Sequence, residues 1–289
     1  MRFWGILVLL FFPVNQLYSR SGLQFERYIE GLYHTEFGKK IIYDAQAYWK
    51  LKTKSEIAKH LRWDRVSRTD SVVTRHFDSK TGKEEVERKV TVILNKKQPD
   101  YEIILDLAHE LTHAIYQPGW DPYDPDLTAG KYIYHAIEGN GGEVLALKNE
   151  CHVYSELFIS GYIKSEIKRC KRYFMENKSK LNEKKVLLDF YHVGEWKEDL
   201  LLLLGKEEEN FPLLTDQEPL LYSSTGLSPY PVALYYEFEQ MNQSACSNAL
   251  KRLANLKDEK RTAKLSEKKE STLYFIEKRC SRIFALKQD

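Results

Sequence analysis

Apolar residues recur at spacings of three and four between residues 101 and 117, as they do along one face of a helix. The residues that form this face are Ile104, Leu107, Ala108, Leu111 and Ile115. Further apolar residues on both sides of the face leave only one narrow polar side. Because a surface helix is polar over a broader arc, we expect this helix to be buried.

The same pattern predicts helices over much of the remaining chain and one pair of strands. Helical spacing extends over residues 24–62, with a second run at 41–51, and returns at 141–160, 245–253 and 271–286. Residues 71–77 and 86–94 are rich in β-branched residues and flank a turn-forming segment, which is typical of a β-hairpin. These elements predict a mostly helical α+β fold with a small sheet before the buried helix.

The polar side of the buried helix carries residues that bind metals. His109 and His113 are four residues apart, so their imidazoles lie one above the other and can reach a single ion. Glu110 follows the first histidine, where a carboxylate can act as a base toward a metal-bound water. The pattern predicts a metal centre here, and two solvated histidines on an ordinary helix are the alternative.

Two carboxylates lie on the apolar face of the helix predicted at 141–160. Glu143 and Glu150 would face the core, which is costly unless each is paired, hydrogen-bonded or bound to a metal. Because seven residues span about 10 Å of helix, the two cannot bind one ion directly. Glu143, beside two glycines, leaves room for the other helix, whereas Glu150 could be the ligand or could orient a ligating histidine.

The start of this second helix allows another interpretation of Glu143. Asn140 is a suitable N-cap for a helix that begins at residue 141. The spacing from Asn140 to Glu143 is also that of a capping box, in which the carboxylate would accept a hydrogen bond from the backbone N–H of Asn140 and bind no metal. The sequence leaves this alternative open.

The motif His-Glu-Leu-Thr-His at 109–113 resembles that of the zincin metallopeptidases, over residues 101–157. No third histidine follows at the metzincin spacing, so the downstream Glu makes the chain similar to gluzincins, the thermolysin-like group. Thermolysin carries an Asp four residues after its ligand Glu, where this chain has Leu147. The resemblance implies Zn²⁺ held by His109, His113 and Glu143 (or Glu150).

The resemblance also implies roles for the remaining parts of such a site. Glu110 would be the general base. A strand above the cleft would bind an extended peptide along its edge through backbone hydrogen bonds, and residues 90–95 could form that strand here. A purely structural hairpin is the alternative. The implied partner is a peptide or protein substrate.

Residues 1–19 have the layout of a secretory signal peptide. A basic residue precedes an apolar run from residue 3 to 14, and a short polar segment follows it. We therefore expect a secreted or periplasmic protein with no stable membrane insertion after cleavage; an uncleaved anchor is the alternative. The mature domain would comprise residues 20–289, with one lobe at 20–160 and a helical lobe at 161–289.

The overall charge gives no indication of a nucleic-acid partner. The chain has 44 Lys and Arg against 42 Asp and Glu. The lysine-rich segment 257–269 alternates with acidic residues, which is typical of a solvated surface and not of a concentrated basic patch. No feature of the sequence indicates an oligomeric state.

Four cysteines fit an exported protein with two disulfides. Of the three possible pairings, we favour Cys151–Cys170 and Cys246–Cys280, because each pair is symmetric about a break between helical segments. Four free thiols in a reducing compartment are the alternative.

Some candidates for supporting roles stay open at this stage. His135, His152 or His192, or a tyrosine in the segment 222–236, could stabilise the oxyanion formed during peptide hydrolysis. Three Asp residues at 121, 124 and 126 could hold calcium, although the two prolines among them favour a rigid loop.

Together these features predict an exported, zinc-dependent metallopeptidase. A non-catalytic binding or scaffold protein on a zincin-like fold is one alternative. A zinc hydrolase of a non-protein amide is another.

Overall fold

The structure is a computed structural model that describes residues 14–78, 83–119, 121–164, 166–174, 180–205, 213–223, 226, 228–255 and 263–280. Its helices of regular α form are α1 Val14–Tyr33, α2 Glu36–Trp49, α3 Asp100–Tyr116, α4 Ala129–Ile137, α5 Glu143–Ile159, α6 Lys168–Lys171, α7 Glu183–Phe190, α8 Lys197–Leu204, α9 Tyr230–Asn255 and α10 Ala263–Phe275. Its strands are β1 Leu61–Asp64, β2 Arg68–Asp78 and β3 Lys83–Asn95. The fold is therefore α+β and mostly helical, as predicted.

Helix α3 is the centre of the molecule. It packs against α1, α2 and α5 and against strands β2 and β3. Its apolar residues from Ile103 to Ile115 are buried, and Glu110 and His113 are buried with them. The predicted burial of this helix is confirmed, and its polar side chains are therefore surrounded by neighbouring elements on nearly every side.

The N-terminal helical segment is shorter than predicted. Helix α2 ends where Lys50 adopts a left-handed conformation with φ 55°, which the helix cannot continue through. The chain then forms a 3₁₀ segment and strand β1, whose buried Leu61 pairs with Val92. The prediction of helix through residue 62 is wrong there because pairing with the sheet overrides helical spacing.

The predicted hairpin is present, but its free edge differs from the one expected. Strands β2 and β3 are antiparallel, with Thr69 opposite Val92 and Val73 opposite Arg88. On its other side β3 pairs with β1 in parallel, giving the strand order β1-β3-β2. Residues 90–95 therefore lie in the central strand, where residues 92–95 pair with β1 and residues 90–93 pair with β2, so this segment is not the free edge that was expected. Among the described residues β2 provides the edge beside α3.

The buried residues form one large core and one small one. The large core extends from Phe25 to Phe238, and the small one joins Ala245, Ala249 and Phe275 around the second disulfide. Both favoured disulfides, Cys151–Cys170 and Cys246–Cys280, are present. The division into lobes at residue 160 stays a prediction.

Most of the expected signal peptide lies outside the described residues. Residues 14–19 belong to α1, and residues 1–13 are not described. In the described part of the chain, none of the helices combines the length and apolar character needed to cross a membrane.

Candidate metal centre

Helices α3 and α5 bring two histidines and one carboxylate to a single point. His109 Nε2 lies 3.3 Å from one oxygen of Glu143, and His113 Nε2 lies 3.6 Å from the other. One potential ligand atom from each side chain lies within 4.8 Å of the other two. Such a group could hold one metal ion.

The start of α5 explains how Glu143 reaches the histidines. Glu143 is the first residue of α5, and Gly142 occupies the N-cap position without a side-chain cap. The predicted N-cap at Asn140 is therefore wrong, and so is the capping-box alternative for Glu143. The chain turns sharply at Gly141 instead, which has φ +70°. A turn of this kind needs glycine. It brings the N-terminal end of α5 directly against the C-terminal end of α3.

A second contact fixes the orientation of each histidine ring. His109 Nδ1 lies 3.0 Å from Glu150 Oε2, and His113 Nδ1 donates to the backbone oxygen of Gly141 at 2.7 Å. With its proton on Nδ1, the neutral His113 ring directs its Nε2 lone pair toward Glu143, and His109 would do the same once an ion displaced the proton from its Nε2 atom. Metal-binding histidines are commonly oriented in this way. Glu150 thus contacts the Nδ1 side of His109, away from the potential ion position, while Glu143 lies on the Nε2 side of both histidines, where an ion would bind.

The carboxylate of Glu143 provides a test of whether an ion fits here. Its Oε2 atom is buried and has no well-directed hydrogen bond from the described residues; its near neighbour is His109 Nε2, at 3.3 Å. A buried carboxylate oxygen without a partner is costly. A cation between the three side chains would remove that cost, so the residues present fit a bound metal ion.

The buried charges also determine the protonation of the site in the absence of an ion. Burial lowers the pKa of His113, so this ring is neutral at neutral pH. Burial acts in the same direction on His109, but contacts with Glu143 and Glu150 outweigh it and raise the pKa of His109 well above its usual range. An ion must displace a proton from His109, so metal affinity should increase with pH.

Glu110 lies beside these residues in a different environment. Its side chain is buried, and Thr69 Oγ1 on strand β2 lies 2.8 Å from its Oε2 atom. Burial raises the pKa of Glu110 to about 8, although the neighbouring His109 and Thr69 lower it. A carboxyl group with such a pKa can accept and release a proton near neutral pH.

The site opens into a cavity of about 660 Å³ between strand β2 and helix α9. His109, Glu110 and His113 line it, together with residues 67–71 of the sheet side. Helix α9 contributes Tyr230, Ala233, Leu234, Glu237 and Met241 to the opposite wall. A ligand in this cavity would contact the edge of the sheet and the potential metal position together.

Tyr230, one of several tyrosines in the segment 222–236, is the one of them that lines the cavity among the described residues. It lines the cavity, and burial followed by the nearby carboxylates of Glu143 and Glu110 raises its pKa well above the usual range. Its hydroxyl therefore stays protonated. None of the candidates His135, His152 and His192 lines this cavity.

The Asp residues considered for calcium have other partners. Asp121 is paired with Arg75, and Asp126 is paired with Lys278. In the described part of the chain, the group of His109, His113 and Glu143 is the one arrangement found that could hold a metal ion.

Comparisons of the chain with family models, curated proteins and solved structures gave no match.

Substitution of Gly141 by Ala should weaken metal binding beyond its effect on the backbone. A Cβ at this position would lie 2.2 Å from Gln117 N at the end of α3 and would displace the carbonyl that orients His113. We expect metal affinity to fall about tenfold, as for loss of other groups that orient ligands. Competition with a chromophoric chelator measures this change.

Gly161 is the matched control, because it has φ +77° and open space around the added Cβ. Gly161→Ala should cost about 1–2 kcal/mol of stability through backbone strain and leave metal affinity unchanged. Equal metal affinity in the two variants would contradict the proposed role of the Gly141 turn.

The metal-free protein should lose stability as Glu110 ionises. An unfolded Glu titrates near 4.3, and the folded group titrates at about 8. Between these values the unfolded state binds fewer protons, so the free energy of unfolding falls as pH rises. Relative to Glu110→Gln, the wild type should lose a few kcal/mol between pH 5 and 8.

Urea unfolding of both metal-free proteins across this pH range measures the difference. Parallel stability curves for wild type and Glu110→Gln would show that Glu110 titrates normally.

Proposed function

We propose that this chain is a zinc-dependent metallopeptidase similar to the gluzincins. The observation that carries the proposal is a largely buried group of two imidazoles and one carboxylate, with Glu110 beside it, open to a cavity. Zinc is bound by such mixed nitrogen and oxygen ligands, and a catalytic zinc site uses three protein ligands and one open position. Calcium and magnesium prefer oxygen ligands alone, so this ligand set favours zinc.

His109, His113 and Glu143 would hold the ion. When bound, zinc supplies a Lewis acid that polarises a carbonyl and lowers the pKa of water to about 7. Glu110 takes a proton from the attacking water and delivers it to the leaving nitrogen. Its pKa of about 8 without an ion supports this role, because a nearby dication would lower the value toward neutral pH.

The edge of strand β2 supports a peptide as the substrate. Residues 67–71 line the cavity, and β2 has β3 on one side only among the described strands. An extended peptide would add to this edge through backbone hydrogen bonds, which bind any sequence, while the cavity walls would select side chains. Thr69 on this edge contacts Glu110, so a peptide bound there would lie beside the proposed general base.

Tyr230 is suited to stabilise the oxyanion that forms when water attacks the peptide carbonyl. Its hydroxyl stays protonated in this environment and lines the same cavity as Glu110. A protonated hydroxyl is a hydrogen-bond donor, and donors placed before the reaction stabilise developing negative charge.

The proposed location is outside the cytoplasm. Two disulfides fit an oxidising compartment such as the periplasm or the extracellular space. The apolar N-terminal segment of the sequence supports export through a signal peptide.

Glu110→Gln should retain one equivalent of zinc and lose about 10³-fold in kcat, because general acid–base catalysis contributes about 10²–10⁴-fold. Zinc content and hydrolysis of casein, with cell-wall fragments as a second substrate, should be measured on the same preparations. Glu87→Gln, an exposed change on β3, is the control and should behave as the wild type.

Full turnover by Glu110→Gln would exclude this mechanism. A wild type that holds zinc but cleaves only cell-wall fragments would identify an amide hydrolase of another class. A wild type that binds less than half an equivalent of zinc would favour the scaffold alternative.

Tyr230→Phe should lower kcat by about 10²-fold, as loss of one oxyanion donor does, with little change in KM or zinc content. Steady-state kinetics on a peptide substrate measures this separation. Tyr236→Phe, an exposed change on the same helix, is the matched control. A change confined to KM would place Tyr230 in substrate binding instead.

A further inference from the structure

Arg169 does not line the cavity, but it contacts Glu150, the residue that contacts His109 on the side away from the potential metal position. It belongs to the short helix α6, and its side chain is partly buried. Its Nε atom donates to Glu150 Oε1 at 2.6 Å, and a terminal nitrogen lies 2.7 Å from Glu102 Oε2. The planar guanidinium suits this use, because its several N–H groups can bind two carboxylates in fixed directions.

Glu150 transmits this contact to His109. One of its oxygens accepts from Arg169, and the other contacts His109 Nδ1 at 3.0 Å. Glu150 is nearly fully buried, so its ionised form needs a permanent cation. Arg169 supplies that charge at every pH of interest and leaves the second oxygen of Glu150 directed at the histidine.

The first disulfide joins the segments that carry these two residues. Cys151 follows Glu150 in α5, Cys170 follows Arg169 in α6, and both cysteines are fully buried. Helix α6 has only four residues, so it cannot be stable by itself. The covalent bond to α5 therefore fixes the position from which Arg169 reaches Glu150.

We propose that Arg169 is a positioning residue for the metal centre, acting through Glu150 on His109, and that the Cys151–Cys170 disulfide holds it there. The inference rests on the metal centre under the proposed function and is independent of peptide hydrolysis. It assigns to one disulfide a role in metal affinity in addition to stability.

The test is the zinc dissociation constant of the full chain, measured by competition with a chromophoric chelator. Arg169→Met should weaken zinc binding about 10–100-fold, the usual effect of removing a group behind a metal ligand. Arg169→Lys keeps the positive charge but cannot contact both carboxylates in fixed directions, so it should lose less zinc affinity than Arg169→Met. Urea unfolding of the metal-free proteins shows whether each variant is folded.

A double-mutant cycle separates positioning from general stability. In a Glu150→Gln background, Arg169→Met should change zinc affinity less than threefold, because the two residues act in one chain of contacts. A merely structural Arg169 would give equal losses in both backgrounds and would overturn the proposal. Zinc affinity of Arg169→Met within twofold of the wild type would also overturn it.

Removing each disulfide in turn tests whether the Cys151–Cys170 bond holds Arg169 in place, with the Cys246–Cys280 bond as the matched control. Removal of Cys151–Cys170 by Ala at both positions should weaken zinc binding at least tenfold, with little further loss on adding Arg169→Met. Removal of Cys246–Cys280, which lies in the separate small core, should leave zinc affinity unchanged. Equal effects of the two removals would overturn the role of the first disulfide.

These outcomes are distinct from failure of the proposed function. Zinc affinity that depends on Arg169 in a protein without peptidase activity would support the positioning role and contradict the peptidase. A wild type that binds no zinc would overturn both.

Discussion

The burial of acidic side chains where α3 meets α5 is the constraint on which the rest of the structure depends. Glu110, Glu143 and Glu150 lose most of their contact with water there. A buried carboxylate is tolerated only with a cation, hydrogen bonds or a proton. Each of the three uses a different solution: Glu150 pairs with Arg169, Glu143 faces two histidines, and Glu110 has a raised pKa.

This constraint accounts for the close approach of the neighbouring elements. The chain at Gly141 lies so near the end of α3 that even a methyl group would overlap the backbone at Gln117. Strand β2 reaches the same region through Thr69, which contacts Glu110, and Ser67, just before the strand, contacts Asp106. The fold thus places a sheet edge, a carboxyl group with a raised pKa and a potential ligand set within one cavity.

Sequence patterns predicted the parts that depend on local spacing. The buried helix, the hairpin and both cysteine pairs follow from apolar periodicity, turn chemistry and symmetry about helix breaks. The convergence of His109, His113 and Glu143 was also expected, because the two carboxylates of α5 lay on an apolar face. The choice between Glu143 and Glu150, which the sequence left open while favouring Glu143, required the structure, since it depends on where α5 begins.

Features that depend on packing between distant segments could not be predicted. Nothing local to residues 61–64 shows that they pair with β3, so the wrong strand was expected to be the sheet edge. Arg169 is one of several basic residues in its segment, and only the fold brings it to Glu150. Tyr230 likewise reaches the cavity through the position of α9, which no periodicity specifies.

Diffraction at the zinc absorption edge, from crystals grown with one equivalent of zinc, tests the central claim most directly. We expect one anomalous peak about 2.0–2.2 Å from Nε2 of His109, Nε2 of His113 and an oxygen of Glu143. A zinc ion bound elsewhere, or no ion between these three side chains, would contradict the account.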